Sequence, residues 1–298
     1  MNLVLKRIPD AAASFMRLIL RLGGLILLIG FNVIYPSADQ PRKELDVHYG
    51  PGPMQVLDLF LPEGAGFSTI VSTYGGGWHS DSGKSSIPIA EELAHLGYAC
   101  ALVSHRLFPP HPFPAPAEDL AAAFAWMKSN IGSRGGDPNK VILAGHSSGA
   151  QLSLLIATDP RYLLALHLNP SDIRAVIDLS SPVDLMRHPD GYGYGVVLLS
   201  GHGADPFRRD GALMEDASPI RHVSQKMPPA LLIVAENDFP MIEADARSFG
   251  SKAEEMGNRV QVVVAPGKDH LGVARGMTDK RDFVLDTVLA FLKTQVTQ

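Results

Sequence analysis

Short apolar runs alternate along this chain with longer stretches whose apolar residues recur at helical spacing. The segments 47–49 and 55–60 read as an opening antiparallel hairpin around a Pro/Gly turn at 51–53. Strand-like runs follow at 68–73, 98–103, 141–144, 175–179, 230–235 and 260–264. Helical patterns occupy 87–96, 116–131, 150–157, 242–256 and 282–293, the second with Leu120, Phe124 and Trp126-Met127 as its core stripe. Such alternation predicts an α/β fold, a mainly parallel central sheet flanked by helices. One stretch breaks the pattern. Residues 182–223 are rich in Gly, Asp, His and Arg, with Gly-Tyr repeats at 191–195 and Gly201-His202-Gly203, and predict a loop-rich insertion.

Candidate chemistry sits at the junction of the 141–144 strand and the 150–157 helix, where the chain reads Gly145-His146-Ser147-Ser148-Gly149. A serine on a tight strand-to-helix turn is lifted above the sheet edge, and side chains two before and two after it would clash, so both places want glycine. The helix N-terminus behind it favours negative charge developing near the hydroxyl. A second motif supports the first. The β-branched run 68–73 leads directly into Tyr74-Gly75-Gly76-Gly77-Trp78, and three glycines after a strand leave backbone N–H groups uncovered. Acyl transfer needs such donors for its oxyanion, which the N–H groups of Gly76, Gly77 and Ser148 are expected to supply.

Through these residues the chain resembles the α/β-hydrolase superfamily, on the branch of hormone-sensitive-lipase-like and feruloyl-esterase-like carboxylesterases. Kynurenine formamidases and isoprenylcysteine methylesterases are neighbours on that branch. The likeness rests on Gly75-Gly76-Gly77-Trp78, the run from Arg106 through Ala115, Glu118-Asp119, Gly135-Gly136-Asp137-Pro138 and Gly145 to Gly149, and extends over about 47–292. It implies the α/β-hydrolase fold, with the loop-rich insertion over the active site. It also implies a serine nucleophile, and a family histidine before the three glycines that is Tyr74 here.

In this superfamily the acid and the base follow the serine in that order. The 230–235 strand ends in Glu236-Asn237-Asp238, and the 260–264 strand leads to Asp269-His270, both at the strand ends where catalytic groups gather in parallel sheets. His270 is the expected base by position, ahead of His79, His105, His111, His146 and His222. His146 is expected to point away from the serine and to pack. The resemblance places the acid at Asp238, with Glu236 and Asp269 as fallbacks and Asp269 read first as a loop-stabilising acceptor. The expected catalytic set is thus Ser147, Asp238 and His270.

Composition narrows the partners. A chain of 298 residues that is 46% hydrophobic can bury one large core. Net charge is −5, with Lys6, Arg7, Arg17 and Arg21 against Asp10 giving +3 over 1–38 and leaving −8 beyond. No basic stripe exists to neutralise phosphates, so nucleic acid is excluded. One cysteine and no helical histidine pair at ligand spacing argue for neither metal nor cofactor. Cys100, inside a strand pattern, reads as a small core hydrophobe.

The apolar run 22–34 behind positive charge has the layout of a secretory signal, shorter than the ~20 residues of a spanning helix and followed by a Pro36 that spoils the cleavage site. Residues 1–38 are therefore expected to export or membrane-anchor a catalytic domain at 39–298, placing it in the periplasm or outside the cell. The alternative is an amphipathic helix over the substrate entrance. The leading functional expectation is a serine carboxylesterase for short- to medium-chain esters. An amidase resembling kynurenine formamidase, or a non-catalytic binding protein on the same scaffold, are the alternatives.

Overall fold

The computed structural model describes residues 40–80, 83–186, 207 and 210–296, and Pro41–Gln298 forms one compact unit. The signal-like segment and the glycine-rich stretches at 191–195 and 201–203 lie outside the described residues, as does the 196–199 run. Eight strands build one sheet: β1 (Arg42–His48), β2 (Val56–Leu61), β3 (Phe67–Thr73), β4 (Ala99–Val103), β5 (Gly136–His146), β6 (Val176–Leu179), β7 (Ala230–Asn237) and β8 (Val260–Asp269). Their order is β1-β2-β4-β3-β5-β6-β7-β8. The first two pairings, β1 with β2 and β2 with β4, are antiparallel, and the remainder are parallel.

The described helices are α1 (Ile87–His95), α2 (Ala115–Asn130), α3 (Ser148–Thr158), α4 (Pro160–Leu164), α5 (Gly211–Asp216), α6 (Ile242–Glu255), α7 (His270–Gly276) and α8 (Phe283–Val296). They divide between the faces of the sheet as the period-2 alternation of strand side chains requires. On one face Val71, Ala101, Leu143, Val176 and Leu232 pack with α2, α3 and α6. On the other, Ile70, Cys100, Ile142, Ile177 and Leu231 pack with α1, α7 and α8. Strands buried on both faces read as continuous apolar runs, which is why the central ones were legible.

Differences from the sequence reading have local causes. Strand β1 is an edge strand whose side chains are mostly exposed, so only its end carried an apolar signal. Strand β5 begins at Gly136 rather than at 141: Gly136 pairs with Phe67 on β3, and polar Asp137 to Lys140 lie in a register break before pairing resumes at Val141. Helices α4, α5 and α7 have at most seven residues, too few for a periodic pattern. In α2 the core stripe is Leu120, Phe124 and Met127, while Trp126 is only partly buried under the Arg134 guanidinium, 5.0 Å from its ring. Cys100 is fully buried, and burial pushes its thiol up to about 12.

Candidate active site

Ser147 adopts φ 54° and ψ −124°, a left-handed conformation costing about 1–3 kcal/mol in a residue with a Cβ. Two hydrogen bonds hold it there. Its N–H donates to Leu179 O on β6 at 2.8 Å, and its carbonyl accepts from Gln151 N at 3.0 Å. The turn is closed so tightly that a Cβ on Gly145 would lie 2.5 Å from the backbone of Gly149 and Ala150. A Cβ on Gly149 would overlap the carbonyl oxygens of Thr73 and Tyr74 at the end of β3. These two glycines let β3, β5 and α3 meet at one point.

Strands β7 and β8 bring the other two groups to that point. His270 is the first residue of α7, whose N-cap Asp269 accepts the Gly272 N–H at 2.6 Å. Its Nδ1–H donates to Asp238 Oδ1 at 2.7 Å, and the Ser147 hydroxyl donates to its Nε2 at 2.9 Å. Because an ionised carboxylate only accepts, the proton sits on Nδ1 and leaves Nε2 free to take the serine proton. Glu236 instead accepts the Gly267 N–H at 2.7 Å, so neither alternative acid is hydrogen-bonded to His270. Asp238 is pushed up by burial, but hydrogen bonds from His270, Ser180 and the Phe239 N–H outweigh this and hold it below the ordinary carboxylate range.

The imidazole of His270 is packed between Phe239, at 4.4 Å between ring centroids, and His146, at 4.8 Å. This corrects the expectation that His146 merely packs away from the serine. Its Nε2–H donates to the His270 carbonyl at 2.7 Å, so the elbow is tied to the backbone of His270. Burial and the neighbouring His270 lower its pKa to about 4, which keeps it neutral. Three of the rival histidines have other partners. His79 bonds Gly77 O and meets Phe108 edge-on, His105 stacks on Tyr74, and His222 donates to Asp216 O.

Gly76, Gly77 and Trp78 all have positive φ, which turns the loop after β3 over the serine. Trp78 anchors it: the indole N–H donates to Gln151 Oε1 of α3 at 3.0 Å. Tyr74, where the family pattern has histidine, is buried and lies parallel to the His105 ring at 5.2 Å. Among the described residues the N–H groups of Gly76, Gly77 and Ser148 donate to no protein acceptor. For Ser148 this follows from its place in the first turn of α3. A cavity of about 620 Å³ opens at Ser147, His270, Gly76 and Gly77. Elsewhere, Asp159, Asp216 and His222 come within 4.8 Å of one another, but Arg161 bonds both carboxylates and supplies the countercharge itself.

Ser180 is the residue sequence reasoning missed. It has φ 56°, accepts the Ala235 N–H at 3.3 Å and bonds the Asp238 side chain. Its Ser-Ser-Pro context reads as an ordinary turn, so the sequence carried no signal for it.

Residues 57–252 match the BD-FAE family model. The chain is 28% identical over 242 residues to esterase LipC of Mycobacterium tuberculosis, covering 75% of this chain and 58% of that protein. It is 23% identical over 259 residues to a probable isoprenylcysteine alpha-carbonyl methylesterase of Arabidopsis thaliana, covering 82% and 54%. The chain therefore spans little more than half the length of these curated relatives. A truncated carbohydrate esterase from gut microbiota superposes with a TM-score of 0.73 at 22% identity, covering 88% of this chain and 99% of that one. Esterase B of Lactobacillus rhamnosis gives 0.71 at 19%, covering 97% and 96%. A family match across about two thirds of the chain, on this sheet and these strand ends, makes the protein a member of the BD-FAE family of α/β-hydrolases.

Proposed function

We propose that the protein is a serine carboxylesterase acting on small-molecule carboxylic esters. The observation that carries this is the continuous relay from Ser147 Oγ through His270 to Asp238, at 2.9 and 2.7 Å, opening into an apolar cavity. In the proposed mechanism, His270 Nε2 takes the hydroxyl proton as Ser147 Oγ bonds the ester carbonyl carbon. The resulting oxyanion lies against the N–H groups of Gly76, Gly77 and Ser148, each donor being worth about 3 kcal/mol of barrier. Collapse breaks the carbon–oxygen bond to the alcohol, which leaves with the proton from His270. Water then gives its proton to His270 and attacks the acyl-enzyme, and the acid departs as Ser147 is reprotonated. Asp238 holds the working tautomer and stabilises the imidazolium.

The names of the relatives, an esterase and a methylesterase, favour this reading. The experiment is hydrolysis of p-nitrophenyl butyrate. Turnover is expected to vanish with Ser147→Ala and to fall about 10⁴-fold in kcat with Asp238→Asn, which lets the imidazole take the wrong tautomer. Turnover that survives in Ser147→Ala would exclude the mechanism.

We also propose that residues 1–38 carry the enzyme to a membrane or across one, on the strength of the apolar run behind positive charge. Cell fractionation tests this, and full-length protein found wholly in the cytosol would refute it.

A further inference from the structure

The cavity does not stop at the catalytic groups. It continues along the sheet face that carries α1 and α7, over a row formed by Ser72, Ala144 and Ile177. These three residues are in register on the central strands β3, β5 and β6, with Ser72 opposite Ala144 and Ala144 opposite Ile177. Central positions of a parallel sheet call for bulky branched side chains. The next row on this face obeys, pairing Ile70 with Ile142. Serine and alanine in the row above leave a hollow, and both remain only half-buried in the middle of an eight-stranded sheet. Ile89 of α1 and Ala274 of α7 border it.

The chemistry of this hollow is selective. Among the described residues, the only side chain with a permanent charge bordering the cavity is Arg275, which is 70% exposed and turned to Asp269. Water in an apolar space is poorly held, whereas an alkyl chain is favoured by about 0.8 kcal/mol for each methylene buried. Ala144 stands three residues before Ser147 on β5, about 10 Å along the strand at ~3.3 Å per residue, close to the length of an extended eight-carbon chain. The sheet closes the floor. An alcohol lodged there would have to leave past the acyl-enzyme, whereas an acyl chain stays bonded to Ser147 until the second step.

We propose that this chamber is the acyl-chain site and that it selects unbranched medium-chain esters, with its depth set by the small residues Ser72 and Ala144. The inference rests on the esterase reading and names its substrate class.

The test measures kcat/KM of the full chain for p-nitrophenyl acetate, butyrate, octanoate and palmitate. Wild type is expected to prefer octanoate. The octanoate-to-acetate ratio is expected to fall about tenfold or more with Ala144→Leu, as for other hydrophobic pockets altered by single methylenes. Ser72→Val, a residue suited to a strand, gives the same readout should the leucine variant fail to fold. A second arm needs no turnover: octanoate binding to Ser147→Ala by calorimetry, and its loss when Ala144→Leu is added. Binding lost in this way without any ester hydrolysis would uphold the chamber and remove the esterase reading. An octanoate-to-acetate ratio that neither variant moves would overturn the proposal. So would a shift in preference among alkyl acetates instead of acyl esters.

Discussion

His270 is held on three sides by groups of different kinds: a carboxylate at Nδ1, the Phe239 and His146 rings at its faces, and a hydrogen bond from His146 to its own carbonyl. Its acid is held in turn by Ser180, whose left-handed backbone aims the hydroxyl at Asp238. Behind this turn lies Asp178, fully buried, its carboxylate accepting the N–H and the hydroxyl of Ser181. Burial pushes Asp178 up to about 7 despite those bonds, and the nearby charge of Asp238 adds to the rise. The unfolded chain holds this group near ~3.9. Between those two values the folded protein binds the extra proton, so the contribution of Asp178 to stability falls as pH rises and is lost above about 7. Asp178→Asn keeps the shape without the charge. Its melting temperature is expected to exceed that of wild type at pH 8, with the gap closing towards pH 5. A gap that is equal at both pH values would show that the carboxyl does not titrate in this way.

At the scale of elements, the elbow depends on contact between the end of β3 and the first turn of α3. Gly149 makes that contact possible, since a methyl group there meets backbone rather than a side chain that could move aside. Gly149→Ala is expected to displace the Gly75 to Gly77 loop, to destabilise the fold by about 1–3 kcal/mol and to lower kcat for p-nitrophenyl butyrate about 10²-fold. Chemical denaturation and initial rates check the two effects separately. A variant with wild-type values in both would mean that the contact is dispensable. This contact was legible in the sequence, because the clash that demands glycine on both sides of the serine is a property of the turn itself. The central strands and the amphipathic α6, with Ile242, Ala246, Phe249 and Ala253 buried at helical spacing, were legible from periodicity. Helix α3 was legible for another reason. Every one of its eleven residues is buried, so apolar residues fall on all its sides with no stripe, and buried Gln151, Ser153 and Thr158 are satisfied by hydrogen bonds to carbonyls. The cap-started helices α4, α5 and α7 were not legible, because capping side chains specify them rather than burial, and the polar half of β5 was not, because it lies in a register break and carries no apolar run.

Across the whole molecule, the order of strands assembles the site. Ser147 follows β5, Asp238 follows β7 and His270 follows β8, so residues 91 and 32 positions apart in sequence meet at one edge of the sheet. The choice of Asp238 over Glu236 and Asp269 needed the family resemblance, since three acids crowd two strand ends and only the folded backbone separates their duties. What the sequence could not show at all is the acyl chamber. It depends on Ser72 and Ala144 standing side by side, and that pairing exists only once β3 and β5 are in register. The central claim is that Ser147 is the nucleophile. The most direct test is to treat the full chain with an alkyl p-nitrophenyl phosphonate and map the adduct by peptide mass spectrometry. The account predicts one equivalent of p-nitrophenol and one adduct, on Ser147, with both absent from Ser147→Ala. An adduct on any other residue, or none in a folded protein, would contradict it.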